Sequence, residues 1–173
     1  MKSNETCKVL VMGYPGSGKT SLIRRFVDGI FSYVHVTVMS DEYHRFMEIN
    51  NKGFDFEITD ISGSEPFHGM LVRYAMSHDC FIICYAIDDH LSFKYIKSCY
   101  DAIKKAKKEK IVPIVICGNK CDLEDQRVVS KFEGSSIAKR LNVHFFETSA
   151  LANVNIENPF IEFAQYINKN SVK

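Results

Sequence analysis

No apolar stretch of this chain nears the length of a membrane-crossing helix, and its polar opening, Met1-Lys2-Ser3-Asn4-Glu5, is not a secretory leader. An excess of charge is missing too. The 22 Lys and Arg stand against 21 Asp and Glu, a formal +1, which gives no long-range steering toward nucleic acid or a membrane. Six cysteines occur, at 7, 80, 84, 99, 117 and 121, but no pair has the C-x-x-C spacing of a metal or redox site. Reduced thiols in a cytosolic protein are expected. The six histidines show no metal-ligand spacing and read as surface or polar positions. Repeats, linkers and low-complexity segments are absent as well. The 173 residues, 46% hydrophobic and 25% charged, therefore suit one soluble domain with a sizeable core.

What is present begins with Gly13-Tyr14-Pro15-Gly16-Ser17-Gly18-Lys19-Thr20, which fits the pattern Gly, four residues, Gly-Lys-Ser/Thr. The apolar run Val9-Leu10-Val11-Met12 enters it as a short buried strand, and Leu22 to Val27 leaves it as an amphipathic helix. Glycines at 13, 16 and 18 permit positive φ and clear the way for a phosphate. Successive N–H groups at a helix start form an anion nest. Lys19 supplies a charge for the outer phosphates and Thr20 a hydroxyl for Mg²⁺. A Gly-rich turn that merely precedes a helix would lack this ordered set.

Asp28-Gly29 stops the first helix, and Phe31 to Asp41 reads as a loop over the nucleotide side. Tyr43 to Ile49 and Phe54 to Asp60 flank Asn50-Asn51-Lys52-Gly53 as a hairpin. Asp60-Ile61-Ser62-Gly63 closes the second strand, placing a carboxylate to orient a Mg²⁺-bound water and a Gly N–H for a terminal phosphate. Cys80 to Ile87 and Val112 to Gly118 are continuous apolar runs of fully buried strands, with Pro113 near the start of the latter. Between them Ser92 to Lys108 reads as a helix with Ser92 as a cap. Its tail, Lys104-Lys105-Ala106-Lys107-Lys108, reads first as a solvated face complementing the helix C-terminus and second as a patch for an acidic partner.

Asn119-Lys120-Cys121-Asp122 leaves the strand that ends at Gly118. An Asp there can accept two N–H bonds from a guanine edge, which adenine does not offer in that arrangement. Ser130 to Leu141 is a helix, Asn142 to Phe146 leads into a last strand ending at Glu147-Thr148-Ser149-Ala150, and Asn158-Pro159 opens the final helix. The alternation predicts an α/β fold with a six-stranded, mostly parallel sheet, helices on both faces and the ligand at the strand C-termini.

With these motifs in this order the chain resembles the Ras-like small GTPases, a P-loop NTPase fold, from about Lys8 to Ile167. The stretch Asn119 to Val129 and Asn153-Val154-Asn155 look most like the Rap branch. The resemblance implies that Gly13, Gly16, Ser17, Gly18, Lys19, Thr20 and Ser21 hold the phosphates of GTP or GDP. Thr20, Thr37 and Asp60 would hold Mg²⁺, and Lys19, Thr37, Gly63 and Ser64 would serve hydrolysis. Around the base it implies Phe31 packing edge-on, Asn119 and Asp122 reading guanine, Lys120 and Leu123 beside it, backbone N–H groups of Ser149 and Ala150 near the guanine oxygen, and Leu151 covering the ring.

Four positions depart from the family. Ser64 stands where Ras carries the glutamine that orients the attacking water, and slow intrinsic hydrolysis is expected. Pro15 replaces a glycine where an activator's arginine would approach; in Ras itself such a finger is worth ~10³–10⁵ in rate, and a weak response to it is expected. Thr37 is the candidate switch threonine, although a gapless count from Phe31 puts Val38 in its place. Leu151 replaces a lysine. The expected protein is a monomeric nucleotide switch working with exchange factors, activating proteins and effectors. The alternative is a GTP-binding module with little or no turnover; a P-loop ATPase or nucleotide kinase fits Asn119 and Asp122 less well. No C-a-a-X box is present, and Lys2, not the glycine that myristoylation needs, follows Met1. The expected site is the cytoplasm, or the cytoplasmic face of a membrane should a lipidated tail follow Lys173.

Overall fold

The computed structural model describes residues 5–33, 40–61, 68–108 and 110–171. In chain order the elements are β1 (Glu5–Gly13), α1 (Lys19–Asp28), β2 (Ser40–Ile49), β3 (Lys52–Ile61), α2 (His68–Met76), β4 (Cys80–Ala86), α3 (His90–Lys94), α4 (Ile96–Lys107), β5 (Ile114–Asn119), a 3₁₀ turn (Glu124–Gln126), α5 (Lys131–Leu141), β6 (His144–Glu147) and α6 (Asn158–Ser171). The six strands lie in the order β2-β3-β1-β4-β5-β6. The β2–β3 pair is antiparallel and the other pairs are parallel.

The apolar runs take these places because the sheet is covered on both faces. Val9 and Val11 of β1 join Phe26, Phe56 and Phe160 in a core on the α1 and α6 side. Leu10 and Met12, their alternates, pack with Ile83, Tyr85, Ile96 and Ile103 on the α4 side. The hairpin turn is tighter than the sequence suggests. Asn50 and Asn51 both take positive φ, 53° and 60°, and Lys52 already pairs with Ile49, as in a two-residue type I′ turn.

Three expectations need correction. Asp89, not Ser92, caps the helix that follows β4, accepting from the Leu91 N–H at 2.9 Å. Ser92 is buried, and its hydroxyl bonds the backbone at Ala86 and Asp89. Pro113 precedes β5 rather than lying within it, so its missing N–H interrupts no ladder. His78 is no surface residue, being only 8% exposed. Its ring bridges Tyr74 O (Nδ1, 2.8 Å) at the end of α2 and Thr59 Oγ1 (Nε2, 2.7 Å) on β3.

Burial pushes the His78 imidazole below its ordinary value of 6.5, with the Tyr74 carbonyl acting against it. The unfolded chain therefore binds a proton that the folded protein resists. Stability is complete above about pH 6.5 and falls as acid carries the solution toward the folded value. Melting temperatures measured from about pH 7.5 to about pH 5 are expected to drop more steeply in the wild type than in His78→Gln. Equal slopes would remove His78 from the account.

Candidate functional site

The loop between β1 and α1 is shaped by its own backbone. Ser17 N–H donates to Tyr14 O at 3.2 Å, and Gly16 takes φ 76°, the signature of a type II turn with Pro15 at its second position, where no N–H is needed. Gly13 tolerates no side chain, since a Cβ would lie 2.1 Å from Cys84 O. Gly18 starts α1 at φ 86°, and a Cβ there would meet Asn119 Nδ2 at 2.3 Å.

Lys19, 6% exposed, arches back across this loop, its Nζ donating to Gly13 O at 3.1 Å and Tyr14 O at 3.0 Å. Burial pushes its ammonium below the ordinary value, opposed by Cys84 and Asp60. Thr20, one residue on, donates its hydroxyl to Asp60 Oδ2. Asp60 is 4% exposed, and its second oxygen, Oδ1, is buried without a hydrogen-bond partner. Burial raises the Asp60 pKa, the Thr20 hydroxyl and Lys19 lower it, and Asp41, opposite in the β2–β3 register, adds repulsion. A buried, orphaned carboxylate oxygen beside a hydroxyl fits a hard divalent cation. Among the described residues no group of three or more His, Cys, Asp or Glu could hold a metal alone.

The residues expected to read a base lie at the tips of β5 and β6. Asn119, 1% exposed, donates from Nδ2 to Ser17 O at 3.1 Å and Gly18 O at 3.2 Å, and its Oδ1 accepts from Thr148 Oγ1 at 3.2 Å. This side chain therefore braces the phosphate loop against the β6 loop, a role that the sequence did not suggest. Lys120 follows at φ 62°, its Nζ 3.6 Å from Asp88 Oδ1, and Leu123 N–H closes the turn onto Lys120 O at 2.9 Å. Asp122 is exposed and accepts from the hydroxyl of the fully buried Ser149. That hydroxyl in turn accepts from Ala152 N–H at 2.9 Å.

The backbone N–H of Ser149, expected near a guanine oxygen, donates to Val154 O at 3.1 Å. Ala150 is buried, whereas Leu151 is 41% exposed. Both are tied to α1 by Arg25, whose guanidinium donates to Ala150 O at 2.7 Å and Leu151 O at 3.2 Å. Phe31 is half-buried at the edge of the α1–α6 core, edge-on to Tyr33 at 5.0 Å. Ser21 lies buried on α1, one residue beyond Thr20.

The phosphate loop, Asp60, Asn119, Asp122, Ser149 and Ala150 thus converge at the C-terminal ends of β1, β3, β5 and β6. Thr37, Val38, Gly63 and Ser64 lie outside the described residues. Arg25 and Thr148 were missed in the sequence. Arg25 has partners 125 and 126 positions away, so no local spacing reveals it; the hydroxyl of Thr148 beside Ser149 at a strand end was the one signal available. Compared with known protein families, residues 8–169 match the model described as Ras family.

Proposed function

The chain belongs to the Ras family, whose members are in general small GTP-binding switches, and from that premise we propose that it is a slowly hydrolysing, Rap-like guanine-nucleotide switch in a single small G domain. The observation that supports the reading is the convergence of the Gly13–Thr20 loop, Asp60, Asn119 and Asp122 at one end of the sheet, with Asp60 Oδ1 buried and unpaired. Backbone N–H groups of Gly13, Gly16, Gly18, Lys19 and Thr20 and the Lys19 ammonium hold the β- and γ-phosphates of GTP. Thr20 and Asp60 hold Mg²⁺, with Thr37 as the third candidate. When bound, that ion neutralises charge on the phosphate oxygens. The Asp122 carboxylate accepts two guanine N–H groups, the Lys120 stem and Leu151 cover the ring, and Phe31 packs at its edge. Gly63 N–H meets the γ-phosphate.

Hydrolysis needs a group that positions water, and Ser64 is short for that task. Rap-like identity is supported by Asn119 to Val129 and by Asn153-Val154-Asn155. In the latter both asparagines take positive φ, 55° and 52°, letting Val154 pair with Ser149. Exchange factors, activating proteins and effectors follow from the family in general terms.

Single-turnover hydrolysis of GTP-loaded protein with Mg²⁺ tests this reading. Wild type is expected to be slow and Ser64→Gln faster by roughly tenfold, about 1.4 kcal/mol in barrier. A second reading, a GTP-binding module without turnover, draws on Ser64 and Pro15 together. Tight GTP binding with no hydrolysis in either protein would establish it in place of the first.

A further inference from the structure

We propose that the end of the sheet opposite the nucleotide loops docks on anionic membrane lipid, with lysines of the α4 tail meeting headgroups and Ile111 and Met76 entering the interface. The near-neutral total hides a local asymmetry. Residues 104–110 carry five lysines against Glu109, +4 in a chain whose formal total is +1. Lysines at a helix C-terminus complement its dipole, but that leaves Lys110 and Ile111, beyond α4, without a reason.

Lys105, Lys108 and Lys110 are exposed, Ile111 is 85% exposed and Met76 66%. These features are held at one place. Lys107 Nζ donates to Met76 O at 3.2 Å, joining the ends of α2 and α4. Tyr166 Oη of α6 donates to Ile111 O at 3.1 Å, fixing the backbone from which the isoleucine projects. Met76 precedes β4 and Ile111 precedes β5, adjacent parallel strands paired from Phe81 and Ile114. Both therefore lie at strand N-termini, whereas the phosphate loop and Asn119 lie at strand C-termini. A surface bound here leaves the nucleotide site open.

Charge complementarity selects the occupant. Attraction of basic residues to an anionic leaflet is felt within a Debye length, so it rewards lysines clustered at one end. Lipid meets both features at once, its headgroups taking the lysines and the acyl boundary taking Ile111 and Met76.

Sedimentation of the full chain with vesicles tests the proposal, using phosphatidylcholine alone or mixed with phosphatidylserine. Binding is expected to the mixed vesicles only and to weaken with salt. Lys105→Glu/Lys108→Glu/Lys110→Glu should cut it at least about tenfold, and Ile111→Ser, with charge intact, about threefold. Unchanged melting and nucleotide affinity in both variants shows that the fold survives. Failure to sediment, equal binding to neutral vesicles, or no loss in the triple variant would overturn it. Binding to soluble polyglutamate alone, undiminished by Ile111→Ser, would overturn it in favour of an acidic protein.

Discussion

Gly18→Ala is expected to lower nucleotide affinity on the order of a hundred- to a thousand-fold, or about 3–4 kcal/mol. The left-handed φ of 86° at this position disfavours any side chain by about 1–2 kcal/mol. The added methyl would also stand 2.3 Å from Asn119 Nδ2. Asn119 must then retreat, releasing the carbonyls of Ser17 and Gly18 that it holds at 3.1 and 3.2 Å. A buried polar group left unpaired costs about 1–3 kcal/mol. Gly29→Ala is the matched control. It has a comparable φ of 70° but open space around the new Cβ, so it should lower the melting temperature slightly and leave affinity alone. Titration of both variants with labelled GDP separates the two effects. Equal affinities would mean that the phosphate loop does not depend on its contact with Asn119.

Asp122→Asn should reduce guanine-nucleotide affinity by roughly a hundredfold or more. The exchange is isosteric and keeps an oxygen to accept from the Ser149 hydroxyl, so stability is expected to change little. Toward the ligand, however, an amide N–H replaces a carboxylate oxygen and faces the guanine N–H groups donor to donor. A charge-assisted bond is lost at the same time. Competition of GTP and ATP for wild type and variant reads this directly: preference for GTP should collapse because GTP binding weakens. Retained preference would show that the base is recognised elsewhere.

Most of the fold was legible because it follows from runs that must be buried. Cys80 to Ile87 and Val112 to Gly118 could only be central strands, and Asn50-Asn51-Lys52-Gly53 marked the place of the hairpin, though not how tight its turn is. The phosphate motif and Asp122 could be proposed for another reason: the chemistry expected of them is carried by consecutive residues. Contacts that cross the fold were not. The donors of Asn119 face a loop about a hundred positions earlier, so its bracing role is invisible in Asn119-Lys120-Cys121-Asp122 itself. Arg25 looks like one more polar residue on an amphipathic helix. His78 sits in a short polar stretch, Ser77-His78-Asp79, that gives no sign that a ring will fill the space between Tyr74 and Thr59. Asp89 was overlooked as a cap because Ser92, an equally good capping type, stands three residues later; only the path of the chain out of β4 decides between them.

Asn119 and Arg25 give the site a property that its individual contacts do not have. The first fastens the start of α1 to the tips of β5 and β6, and the second fastens the other end of the same helix to Ala150 and Leu151. The pieces proposed to grip the phosphates and the base therefore form a clasp with a common spine. A ligand spanning both halves gains from the high effective concentration of the second contact once the first is made, so guanosine or pyrophosphate alone forfeits that advantage. The same linkage works in reverse. A partner protein that pries at either half strains the other through α1, and can hasten the departure of the whole ligand while touching a fraction of it.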